Sequence, residues 1–173
     1  MQDNKLVKAL VLNAQLGNNS AFEQLFQLTI ESVYALILRL AGAPSHAEKL
    51  SIKTYVNAWQ QISEKDESIS ILDWFKKIAV ETYLSDSLND TESSEQTGSD
   101  KKLIDETLEK IYDEYPLEKY LQELDHRSKL IFILHDIENL SYDEISEFLN
   151  ISVEEIKSLL VNSREKLISV LES

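Results

Sequence analysis

Apolar residues recur along this chain at intervals of three and four, in runs separated by short polar stretches. That period marks amphipathic helices rather than strands. The first run, 4–16, gathers Leu6, Val7, Leu10, Val11 and Ala14 on one side and stops at Leu16-Gly17-Asn18-Asn19. Ser20-Ala21-Phe22-Glu23 then has the form of a capping box: the Ser hydroxyl takes a free backbone N–H while the Glu reaches back to the cap. It predicts a long helix bearing Phe22, Leu25, Phe26, Val33, Tyr34, Ile37, Leu40 and Ala41, ended by Gly42-Ala43-Pro44. Ser45-His46-Ala47-Glu48 predicts the next cap, for a helix whose face is Ala47, Leu50, Thr54, Tyr55, Ala58, Trp59 and Ile62. After a polar break at 63–68, a fourth helix is expected from about Ser70, with Leu72, Phe75, Ile78, Ala79 and Tyr83. Four such stripes can cover one another in a bundle.

The pattern lapses at 89–100, where NDTESSEQTGSD holds no apolar residue. Such a segment buries no core and is expected to be a flexible acidic linker. Helical periodicity resumes at Lys101 with Leu103, Ile104, Leu108, Ile111 and Tyr112; Pro116 separates these from Leu117, Tyr120, Leu121 and Leu124. Asp125 precedes a helix carrying Leu130, Ile131, Leu134 and Ile137. Two copies of one local grammar follow: Leu140-Ser141-Tyr142-Asp143-Glu144-Ile145, then Ile151-Ser152-Val153-Glu154-Glu155-Ile156. Each pairs a Ser cap with Glu three positions on and sets apolar residues where a hydrophobic staple needs them. Asn150, between them, is a residue that tolerates the left-handed turn ending a helix. Helices at Tyr142–Leu149 and Val153–Leu171 joined this tightly predict a helix-turn-helix. Its second helix turns Ile156, Leu159, Leu160, Ser163, Leu167, Val170 and Leu171 inward, leaving Glu154, Glu155, Ser158, Val161, Asn162 and Glu165 outward. The fold class is therefore all-α. It comprises a helical bundle over 1–88, a linker over 89–100 and a helix-turn-helix domain over 101–173.

Charge complicates that picture. The net charge is −14, and it is uneven. Residues 1–84 carry 8 basic and 9 acidic side chains, 85–100 carry 0 and 5, and 101–173 carry 9 and 17. Affinity for DNA comes largely from Lys and Arg at phosphates, so the acidic second half opposes unaided DNA binding while its motif has a DNA-binding shape. The absence of cysteine excludes disulfides and thiolate sites. His46, His126 and His135 lack metal-ligand spacing, no nucleophile motif or glycine-rich phosphate loop is present, and neither cofactor nor metal nor enzymatic activity is expected. With no apolar run of membrane-spanning length and no signal peptide, a cytoplasmic protein without membrane insertion is expected.

Four stretches, in order, resemble one family. They are Asn19-Ser20-Ala21-Phe22-Glu23-Gln24-Leu25-Phe26; Ala47-Glu48-Lys49-Leu50 with Tyr55-Val56-Asn57-Ala58-Trp59; Asp73-Trp74-Phe75-Lys76-Lys77-Ile78-Ala79; and Leu124 to Leu167, with Lys157, Ser158, Arg164 and Leu167 in register. Together they resemble the extracytoplasmic-function class of bacterial RNA polymerase sigma factors over nearly the whole chain. The resemblance implies that the first domain binds core polymerase through Glu48, Leu50, Lys53 and Trp59 and engages the promoter −10 element. It also implies that the last helix reads the −35 element, with DNA contacts from Ser152, Glu155, Lys157, Ser158, Asn162 and Arg164. Core RNA polymerase and promoter DNA are the implied partners, DNA being bound weakly by the chain alone, and an anti-sigma protein is a further one.

The departures from the family pattern are mostly losses of polar or basic character. Lys49 stands where the family has Asp, Ile52-Lys53 where it has Gln-Glu, and Val80-Glu81 where it has Arg-Asn. Ser85-Asp86-Ser87-Leu88-Asn89-Asp90 replaces a basic cluster, and Leu159 and Asn162 take the usual arginine positions of the last helix. Two functions are consistent with this sequence. One is a sigma factor directing promoter-specific initiation; the other is a degenerate sigma-like regulator that binds protein, as co-sigma, decoy or antagonist, with little DNA binding of its own.

Overall fold

The computed structural model describes residues 2–89, 117 and 121–171, and every regular element among them is helical. The chain forms two compact units, Met1–Glu95 and Gln96–Ser173. The expected linker beyond Asn89 and the helix expected at 101–112 lie outside the described residues; of the stripe expected after Pro116, Leu117, Leu121 and Leu124 are described and Tyr120 is not.

In the first unit, α1 (Gln2–Gln15) leads through Gly17 to α2 (Asn19–Ala41), followed by α3 (Pro44–Gln61), a 3₁₀ turn (Ile62–Glu64) and α4 (Ile71–Asn89). Gly17 sits at φ +86° and Gly42 at +72°, left-handed conformations that glycine adopts without a Cβ clash, and each ends a helix. The long α2 packs against α1, α3 and α4, and α3 packs against α4. Leu25, Leu36, Ile37, Leu40, Leu50 and Phe75 are fully buried between them. Each such side chain stabilises the unit by roughly 1.5–3 kcal/mol relative to exposure. Phe22, Phe26, Tyr55, Trp59, Trp74 and Phe75 form a chain of edge-on and tilted ring contacts, with centroids 4.7–5.9 Å apart. That offset geometry is the one aromatic quadrupoles favour.

Two helix starts differ from the sequence expectation. The cap of α2 is Asn18, not Ser20: Asn18 Oδ1 accepts the Ala21 N–H at 3.1 Å, which draws Ser20 into the first turn. The cap of α3 is Ala43, with no side-chain hydrogen bond, because Pro44 occupies the first helical position. Proline fits there since its fixed φ is helical and its missing N–H would have been unpaired. At α4 the expectation holds: Ser70 Oγ accepts the Asp73 N–H at 3.1 Å and donates to Asp73 Oδ2 at 2.6 Å.

The polar break before α4 conceals a buried cation. Lys65 is 8% exposed, and its Nζ donates to the carbonyls of Asp66 (2.8 Å) and Ile69 (2.5 Å). Burial pulls its pKa below the ordinary lysine value. Gln15 Nε2 donates to the Lys65 carbonyl at 3.1 Å, tying α1 to this loop.

The second unit contains α5 (His126–Phe132), a π-helical turn (Ile133–Ile137), α6 (Tyr142–Leu149) and α7 (Val153–Leu171). Asp125 caps α5 by accepting from the N–H groups of Arg127 and Ser128 at 3.1 and 3.0 Å. The periodicity predicts one helix through Ile137, yet after Phe132 it widens. The Glu138 N–H reaches the Ile133 carbonyl, five residues back, at 2.9 Å, and Asn139 turns at φ +60°. Leu121, Ile131, Ile133, Leu134, Ile145, Ile156 and Leu160 make the core, with α7 packed on α5 and α6.

Candidate nucleic-acid interface

Two residues bracket α6. Ser141 makes the complete capping box: its Oγ accepts the Glu144 N–H at 3.3 Å, and Glu144 Oε2 accepts the Ser141 N–H at 2.8 Å. Hydrogen bonds from the Ser141 hydroxyl and backbone hold the Glu144 carboxyl below its usual pKa. Asn150 ends the helix in the left-handed conformation (φ 53°, ψ 49°) expected of it. The turn is closed by Ser146, whose Oγ donates to the Ile151 carbonyl at 2.6 Å.

The second copy of the motif is only half a box. Ser152 Oγ accepts the Glu155 N–H at 3.1 Å, but the Glu155 carboxylate leaves the cap and binds Arg127 Nη1 of α5 at 2.6 Å. The cause is tertiary: the docking of α5 on α7 supplies a cation, and a charged partner outcompetes a neutral backbone N–H.

The helical stripe of α7 falls as its spacing predicts through Leu167, except that Glu155, expected outward, is half-buried; the side chains of Val170 and Leu171 lie outside the described residues. Ile156, Leu160, Ser163 and Leu167 are buried and Leu159 is half-buried, while Glu154, Lys157, Ser158, Val161, Asn162 and Glu165 are exposed. Ser163 fits this interior by donating its hydroxyl to the Leu159 carbonyl at 2.6 Å. Ser152, Ser158 and Asn162 lie exposed along or just before the first turns of α7.

The cations have partners within the domain. Lys157 Nζ stands 5.5 Å from the Tyr142 ring centroid, and Tyr142 stacks on His135 (4.5 Å, 26°). His135 Nδ1–H in turn donates to the Leu140 carbonyl at 2.7 Å, which anchors the stack to the turn before α6. Arg164 donates through Nε to Asp136 Oδ2 at 3.0 Å and through Nη2 to Oδ1, a two-pronged pair that raises its pKa further. Lys166 Nζ donates to the Glu123 carbonyl. Asp136, on the π turn, carries no sequence motif; only its acidity and its distance from Arg164 in the chain could have hinted at it.

The residues expected to meet polymerase lie on α3 but not on one face. Glu48 and Lys53 are exposed, and Trp59 is half-buried with its ring edge-on to Phe22 at 4.9 Å. Leu50, expected among them, is 1% exposed and belongs to the core of the unit. The reason is helical phase: Leu50 shares its stripe with Ala47, Thr54 and Ala58. The outward face centres instead on Ile52 and Val56, 68% and 51% exposed and four apart beside Lys49 and Lys53. Lys53 binds Asp86 of α4, which also takes His46 Nε2 at 2.9 Å. The hydrogen bond from Lys53, then that from His46, holds the Asp86 carboxyl below its usual pKa.

Comparison with known proteins agrees with this architecture. Residues 115–167 match sigma-70, region 4. The chain is 22% identical over 177 residues to the ECF RNA polymerase sigma factor SigW of Bacillus subtilis (strain 168), spanning 94% of this chain and 95% of that protein. Among solved structures it is similar to CnrH in complex with the cytosolic domain of CnrY, with TM-score 0.64 and 21% identity over 96% of this chain and 97% of that one. It is also similar to the sigma factor RpoE in complex with the anti-sigma factor NepR from Bartonella quintana, with TM-score 0.64 and 18% identity over 87% and 96%. The matched region 4 encloses α5, α6 and most of α7. The region 4 match and the likeness to SigW support a sigma factor of the extracytoplasmic-function class, and the solved structures agree in fold. Among the described residues, no helix is long and apolar enough to cross a membrane.

Proposed function

We propose that this chain binds core RNA polymerase and directs promoter-specific transcription initiation. The carrying observation is the likeness to SigW across 94% of the chain, which takes in both helical units in one order. In this reading the second unit docks α7 in the major groove of the −35 element, using Ser152, Lys157, Ser158 and Asn162. The first unit engages polymerase and the −10 element. The outward face of α3 suits a protein contact, since Ile52 and Val56 form an exposed apolar pair among Glu48, Lys49 and Lys53. Weak DNA binding by the free chain is compatible with this role, because polymerase raises the effective concentration of promoter contacts. The likeness to RpoE, solved with NepR, supports an anti-sigma partner. The site of action is the cytoplasm. A protein-binding regulator without promoter activity is not favoured by the full-length likeness.

The test is reconstitution. Purified chain added to core polymerase should co-elute with it and yield defined run-off transcripts from genomic templates. Absence of any core binding would refute the proposal.

A further inference from the structure

The arginines that could meet phosphate are already neutralised by carboxylates of the same unit. Arg164 presents its Nε–Nη2 edge to both oxygens of Asp136, and Arg127 presents Nη1 to Glu155. A guanidinium binds phosphate with the same fork it uses for carboxylate, so the two anions compete for one set of donors. Binding that draws on counterion release needs a cation with net charge, and a closed pair supplies none. Both arginines are open to solvent, with side chains 46% and 56% exposed, so they lie where a duplex could reach them.

We propose that Asp136 and Glu155 act as internal competitors for DNA phosphate, holding Arg164 and Arg127 and thereby limiting the grip of the helix-turn-helix on a duplex. This rests on the DNA-binding half of the function proposed above. It converts Arg164 from a contact into a withheld contact, and Glu155 from a base reader into a restraint. Surface pairs of this kind shift an equilibrium by about 1.4- to 5-fold each, enough to tune affinity without locking it. A free chain so restrained discriminates against bulk DNA, where binding is almost wholly electrostatic, while retaining the exposed Ser152, Ser158 and Asn162 for sequence.

The full chain, and its Asp136→Asn, Glu155→Gln and double variants, should be titrated against a fluorescent duplex lacking promoter sequence at salt from 50 to 200 mM. Each single variant is expected to bind about 1.4- to 5-fold tighter at low salt, and to steepen the slope of log affinity against log salt by about 0.9. Glu154→Gln removes the same charge from an exposed neighbour without releasing an arginine, and its slope should match the parent. If the pairs serve only to pin α7, the variants will melt earlier by circular dichroism with unchanged slopes, which overturns the proposal. Weaker binding by the variants, or no binding by any of them, overturns it equally. Should Asp136→Asn fail to fold, Glu155→Gln carries the test alone, since its pair joins two exposed side chains. The duplex assay contains no polymerase, so it stands or falls separately from core binding.

Discussion

Replacing Ser141 by Ala removes the centre of the capping box that starts α6. Two bonds disappear: the one Oγ accepts from the Glu144 N–H at 3.3 Å and the one it donates to Glu144 Oε2 at 2.7 Å. The Ser141 N–H survives the change, because its partner is the Glu144 carboxylate. The orphaned N–H, together with the lost bond to the Glu144 carboxylate, sets the expected cost at about 1 kcal/mol at this exposed helix start. For a unit of this size that shifts Tm by about 4–8 °C. Both tryptophans, Trp59 and Trp74, lie in the first unit, so their fluorescence reports the unfolding of that unit. Thermal unfolding should therefore be followed twice, by tryptophan emission and by circular dichroism at the helical band. The prediction is an earlier dichroism transition for the second unit with an unmoved fluorescence midpoint. Ser152→Ala, which removes one accepted bond from a half-formed box, should shift the same transition by less. An unmoved dichroism transition in Ser141→Ala, or a larger shift in Ser152→Ala, would refute the reasoning.

Other outcomes follow from the same contacts. Ile156→Ala empties a fully buried site beneath the turn and should cost about 2–5 kcal/mol, visible as loss of the second unit's urea transition. Ile52→Asp places a charge on an exposed position of α3, so fluorescence unfolding should stay within about 0.5 kcal/mol of the parent while co-elution with core polymerase is lost. Lys65→Met leaves the Asp66 and Ile69 carbonyls without their donor and should destabilise the first unit by about 1–3 kcal/mol in the same assay. The Asp86 carboxyl has a folded pKa below the ordinary 3.8, so it stabilises the fold above that value and loses the contribution as pH falls through the lower, folded pKa. Asp86→Asn should thus be less stable than the parent at pH 6, and the two should converge in strong acid when followed by tryptophan emission.

The amino-acid pattern by itself determined what depends on neighbours in the chain. Helical phase placed Ile156, Leu160 and Leu167 inward and Ser158, Val161 and Asn162 outward, because a period of 3.6 residues needs no tertiary information. Ser141 with Glu144, and Asn150 after them, set the limits of α6 through bonds spanning three or four residues. Asp125 and Ser70 did likewise for their helices. Where a nearby residue competed, the local rule misjudged by two positions: Asn18 displaced Ser20 as a cap, and Pro44 at the first helical position moved the next cap from Ser45 to Ala43. The tertiary structure alone decided everything that joins distant residues. Asp136 meets Arg164 across 28 positions and Glu155 meets Arg127 across α5 and α7, and no periodicity encodes either pairing. The same holds for Lys65, whose burial depends on the loop closing around it. Shape is local here and charge is not: hydrogen-bonded helix ends are written within a few residues, whereas an ion pair exists only after the helices that carry it have packed.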